Sequence, residues 1–342
     1  MVTPAWGSAA CETALSPADS PVFSVRFGPG CTQDERAAKP VTAEAVLAAL
    51  QAGKSVALHG VVVTGTVAFD RLPPVPASRL AQASSAIQET VKAQKLSEVR
   101  LVSGEIAITE STVEGAVVSN LASGMLLFLG PVTFTGTRFE QRMDLSWSAF
   151  DGPLDFSGAS FRREAFLLRG LFVQPARFEN TAFGPHARFH RARFLGPAIF
   201  RHARFNGLGE LLEVEFGQGA DFAHASFALG TGFSGSRFGG MADLSDAVFE
   251  REAFFPYVHF IKDATFRHAQ FRSLADFSHA RFEGLGDFAG TSFHVEPRVD
   301  GIRLTGPPPE KAANDLSMLA YGAFAGAIFF ITLALYRRSR QA

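Results

Sequence analysis

From Phe139 to Phe293 every eleventh residue is phenylalanine. A second series, five residues ahead, puts Phe or Leu at every eleventh position from Phe134 to Phe288. Interleaved, the two give a large apolar residue after five residues, then six, with no insertion or deletion over 132–293. Two residues before most of them stands a small one, as at Thr137, Ala159, Gly170, Ala192 and Ala280, and polar residues fill the gaps. On a helix, steps of five and six residues turn about 140° and 240°, which throws successive Phe onto opposite faces. The eleven-residue supercoiled helix is therefore excluded. Gly-Pro pairs at 130–131, 152–153, 184–185 and 196–197 all fall in the six-residue step. An interior proline costs a helix about 3 kcal/mol. A path that turns at Gly and Pro and points one small and one large residue inward per short segment satisfies the pattern.

The flanks follow other periods. Residues 1–41 read as an extended N-terminal segment. Within 42–131, residues 42–55 (TAEAVLAALQAGKS) predict a helix with Thr42 as N-cap and Gly53 as its stop. Residues 56–69 read as irregular first coils, about 78–96 as a helical insertion, and 99–118 as strands leading into the Phe ladder. Residues 294–315 form a Pro-rich stalk. Residues 316–336 (LSMLAYGAFAGAIFFITLALY) are uncharged and long enough to cross a bilayer of about 30 Å. The tail 337–342 carries three arginines.

The small-x-Phe pattern, as in ADLSDAVF (242–249) and ADFSHARF (275–282), resembles the pentapeptide-repeat family over 132–293. The resemblance implies that family's fold, an all-β, right-handed, four-sided parallel β-solenoid, here with an N-terminal helical cap. This chain departs from the strict five-residue rule by one residue in every second unit, which predicts a coil of 22 residues. At a strand spacing of about 4.8 Å the repeat amounts to a rod roughly 36 Å tall. Twenty-six of the 35 Phe lie in the two series, and burying each is worth roughly 1.5–3 kcal/mol before chain entropy. Asp155, Asp221, Asp243, Asp276 and Asp287 precede central residues, at the position the family fills with Asp or Asn.

Charge and chemistry change this picture little. Net charge is −1, so no global field points to nucleic acid. His202, His224, Asp246 and His268 fall in one column at a 22-residue step, a metal-ligand arrangement only if they converge; an exposed turn position is the competing reading, and it also covers His279. Arg188, Arg191, Arg193, Arg201 and Arg204 form a basic run that reads as an anion or partner patch, or as a solvated face balanced by the acidic residues after it. Gly322 and Gly326 make a GxxxG that suits helix packing and a homodimer, or that reflects only how common glycine is in membrane helices. Cys11 and Cys31 form one disulfide or remain two thiols. No nucleophile triad, phosphate loop or carboxylate pair stands out. The chain is read as non-enzymatic and without cofactor: a membrane-anchored scaffold for an unknown protein partner. The first alternative is a topoisomerase-directed DNA mimic, which the balance of 20 acidic and 18 basic side chains over 132–300 opposes. The second is a carbohydrate-active β-helix, which needs long groove-building loops that the register leaves no room for. The arginines after the span put the C-terminus in the cytoplasm and the solenoid outside. Because no export signal is seen ahead of it, that orientation implies a truncated or mature start, and the alternative is a tail-anchored protein with a cytoplasmic solenoid.

Overall fold

A computed structural model describes residues 11–121 and 123–304. The proposed span 316–336, with Gly322 and Gly326, the tail and the end of the stalk lie outside the described residues. Among the described residues no helix is long and apolar enough to cross a membrane.

Short strands, mostly two residues long, alternate with turns and pair in parallel into four sheets. The chain divides into two compact units, Met1–Arg188 and Phe189–Ala342. In the first, Leu154–Asp155 pairs with Val132–Thr133 and Ala176–Arg177, and Ser160 with Arg138 and Ala182. In the second, Ala220 pairs with Ala198 and Ala242, and Phe227 with Phe205 and Phe249. Each partner is 22 residues away, so the five-plus-six spacing is the coil period. The division falls inside the repeat, where no change of composition marks it.

The core is a set of phenylalanine columns. Phe205, Phe227, Phe249, Phe271 and Phe293 stack face to face at 4.6–5.0 Å. Phe194, Phe216, Phe238, Phe260 and Phe282 do the same at 4.6–5.3 Å. Between columns the rings meet edge to face, as Phe222 does with Phe233 at 90°, an arrangement the ring quadrupole favours. The small inward residues leave room for these rings. Several carry a buried hydroxyl bonded to a carbonyl of the preceding coil: Thr137 to Ile108 at 2.6 Å, Thr181 to Phe156 at 2.8 Å, Ser236 to Leu211 at 2.6 Å; the buried Ser148 hydroxyl finds no such partner among the described residues.

The first coils are irregular in length but not in pairing. Ser55–His59 pairs with Ile106–Thr109 across 50 residues, and Ile106 with Val132 across 26, before the 22-residue register sets in. Two short helices, α1 at Gln33–Ala37 and α2 at Ala43–Gln51, precede these coils, and the excess loops out as Ala77–Gln82, a 3₁₀ segment, and helix α3, Ser85–Ala93. Ile87 and Val91 of α3 are buried, and so are Leu127, Ala149 and Leu171, which sit beside inward Phe on one sheet. The equivalent positions of the second unit are Arg193, Glu215 and Arg237. Asp151, next to that sheet in the first unit, accepts the Ser84 N–H at the start of α3 at 2.9 Å. Thr42 caps α2, and Gly53 follows it at φ +72°. A hairpin of Thr13–Leu15 and Val22–Phe27 lies alongside Ser55–His59, and a Cys11–Cys31 disulfide ties its start to the turn before α1.

Candidate functional site

A regular set of exposed side chains sits at the corners, and backbone geometry selects them. From Gly136 to Gly301 every eleventh residue has positive φ, between 53° and 70°. Such a conformation costs a residue with a side chain roughly 1–2 kcal/mol and is natural only to Gly, Asn or Asp. Here Trp147, Arg169, Arg191, His202, Glu213, His224, Tyr257, His268 and His279 all adopt it. The 22-residue coil sorts these corners into two columns, and within each unit several neighbours in a column touch.

In the second unit one column runs His202, His224, Asp246, His268, Gly290. The His202 and His224 rings stack at 4.7 Å and 12°, and His224 Nδ1 lies 3.9 Å from Asp246 Oδ2. His268 covers Gly290, where a Cβ would stand 2.4 Å from its Nδ1. The predicted column is thus real as a column. Face-to-face imidazoles, however, aim their nitrogens side by side rather than at one point. Among the described residues no group of three His, Cys, Asp or Glu is placed to hold a metal ion.

The other column was not singled out from sequence, although the same 22-residue step finds it. In the first unit the Arg169 guanidinium lies 4.5 Å over Trp147. In the second, Arg191 donates to Glu213 at 2.7 Å, and that bond with its charge raises the arginine pKa above the ordinary value. Tyr257 stacks on His279 at 4.9 Å, and His279 covers Gly301.

The basic run is spent in a similar way. Arg193 pairs with Glu215 at 2.9 Å and Arg201 with Asp221 at 2.7 Å, each one coil on. Arg188, in the first unit, lies 5.3 Å over Phe166. Arg204 is exposed, in register with Ser226. Further along, Arg272 pairs with Glu250 at 2.8 Å. The repeated aspartates bond locally: Asp155, Asp221, Asp243, Asp276 and Asp287 each accept the N–H two residues on, at 2.8–2.9 Å. That bond closes the turn after each short strand.

Large apolar side chains also stand exposed in the second unit, among them Met241 at 53% and Val295 at 47%. Tyr257 is 66% exposed, Leu229 45% and Phe254 38%. In the preceding coil the residues in register with Phe254 and Tyr257 are Gly232 and Gly235.

No protein-family model matches the chain. None of the curated proteins and none of the solved structures matches it either. The functional reading therefore rests on the geometry just described.

Proposed function

We propose that the chain is a right-handed, Phe-rich pentapeptide-repeat solenoid, anchored to a membrane through residues 316–336, and that it serves as a non-enzymatic interaction surface for another protein. One observation carries the reading. Cross-coil contacts engage Arg191, Arg201 and Arg272, while the large side chains of Phe254, Tyr257 and Leu229 stay exposed in the second unit. Aromatic residues of this kind are what protein interfaces use as anchors. The Cys11–Cys31 bond favours an oxidising compartment for the solenoid. The arginines after residue 336 favour a cytoplasmic C-terminus.

The test uses the full chain in its native membranes, with a photo-crosslinking residue at Tyr257. One discrete protein adduct is expected. Phe254→Ala should abolish it, and the adduct partner, used as bait, should retrieve this chain. Equal labelling from Tyr257 and from distant coil positions, or labelling indifferent to Phe254, rejects the reading. Protease protection of residues 11–304 in sealed membranes tests the orientation separately.

A further inference from the structure

The N-terminal coils hold a polar cleft of about 290 Å³, lined by Gln33, Arg36, Glu110, Ser111, Thr112 and Arg138 among others. It is open to solvent and lies wholly within the first unit. Two of its charged groups are held apart by the backbone. Arg36 is fixed by donating from Nε to the Cys31 carbonyl at 3.2 Å and from Nη2 to the Gly28 carbonyl at 3.5 Å. Its Nη1 lies over Gly60, 2.9 Å from where a Cβ would stand, so only glycine leaves the guanidinium there. Thr32 and Glu35 close a capping box on the same short helix, and the Cys11–Cys31 disulfide holds the turn before it.

Glu110 sits at a left-handed corner, φ +48°, one coil on from Gly60 in register. Its carboxylate leans the other way, over Gly136, where a Cβ would meet Oε1 at 2.3 Å. Arg36 and Glu110 therefore share a cleft without forming an ion pair, and neither has another ion-pair partner among the described residues. Arg138 lines the same cleft with its Nε on Glu140 at 2.7 Å. Elsewhere on this protein several opposite charges on adjacent coils pair directly, as Arg191 does with Glu213 and Arg272 with Glu250. Here they are oriented and left apart. His59 feels both: burial first, then Arg26 and Arg36, push its pKa down, and Glu110 opposes them.

We infer that this cleft binds a small zwitterion of the α-amino-acid class, with the ligand carboxylate on Arg36 Nη1 and the ligand ammonium on Glu110. A charge-assisted bond at each end gives specificity for a molecule carrying both charges at short separation. The cleft volume suits a single amino acid rather than a long peptide. Gln33, Ser111 and Thr112 supply neutral donors and acceptors around the bound molecule. The inference does not rest on the interaction-surface reading above.

The test is titration of the full chain with the twenty free amino acids, by saturation-transfer NMR and then calorimetry. At least one is expected to bind saturably. Its N-acetyl and C-amide forms should each bind about tenfold or more weakly, as should Glu110→Gln with the free amino acid. Arg36→Gln should act likewise, and Arg191→Gln should change nothing. Because Arg36 also holds two backbone carbonyls, the blocked ligands and Glu110→Gln decide the outcome by themselves. The inference is overturned if no free amino acid saturates up to about 10 mM. It is equally overturned if the N-acetyl form or plain acetate binds as well as the free amino acid, or if Glu110→Gln leaves binding intact.

Discussion

At the residue scale, the corner conformation is the most informative local feature. Gly290 is held at φ +70° under the His268 ring. Gly290→Ala is expected to cost about 1–2 kcal/mol for the left-handed backbone and a further sum for displacing the imidazole. A double-mutant cycle with His268→Ala separates the two, because removing the ring should recover only the steric part. Equal costs in both backgrounds would show that the ring does not cover Gly290. His59 offers a second residue-level test. Its folded pKa lies below the unfolded value near 6.5, chiefly through burial. As pH falls, the unfolded chain binds the proton first. The contribution of His59 to stability is thus present above about pH 6.5 and lost as pH falls through the lower folded pKa. Melting temperature against pH should therefore drop less steeply between about pH 7 and 5 in His59→Gln than in the natural chain. From sequence, the four-residue column with its histidines was legible, since it needs only the period. The left-handed backbone beneath it was harder to read, because Gly, Asn and Asp at 136, 158, 180, 235, 246, 290 and 301 share the position with Trp, Arg, Glu, Tyr and His.

At the scale of elements, strands of two residues have almost no intrinsic preference. What fixes them is the distance between coils. At Gly115 a Cβ would stand 1.8 Å from the Gly65 carbonyl oxygen, a backbone atom that cannot rotate away. Gly115→Ala is expected to destabilise the first unit by about 3 kcal/mol or more in denaturant titration. Gly53→Ala is the contrast: nothing lies within 4 Å of its Cβ position, and only the φ of +72° is at stake. Its cost should be near 1 kcal/mol. Comparable values at the two positions would mean that coil spacing relaxes easily. The helix after Thr42 and the helical insertion before residue 96 could be read from periodicity. The 50- and 26-residue steps of the first coils could not, since the excess residues leave the sheet at a corner and return to it without disturbing the pairing. The cleft between Arg36 and Glu110 escaped for the same reason. It joins residues whose neighbourhood depends on those irregular steps.

At the scale of the whole molecule, the 22-residue register makes the chain modular in a way that ordinary domains are not. Deleting residues 220–241 would bring Ala242 to the position of Ala220 and Asp243 to that of Asp221. Arg201 would then find a carboxylate where it now finds Asp221, and each Phe column would close over the gap. That variant is expected to fold cooperatively, with a parallel-sheet circular dichroism spectrum like that of the natural chain. Deleting only 220–230 is subtler, because the eleven-residue unit preserves the inward pattern while rotating everything after it by half a coil. Thr231 would replace Ala220 and Phe233 would replace Phe222, so the core survives. Arg201 would face Gly232, however, and Tyr257 would move to the opposite corner column. This second variant should also fold but lose any crosslink made from Tyr257. A deletion of three residues, 220–222, leaves Phe216 and Phe227 eight apart, a step the ladder does not use, and should not fold at all. If all three deletions behaved alike, core register would not be what holds the coils together. If the eleven-residue deletion kept its crosslink, the exposed aromatic side of the second unit would not be the surface that matters.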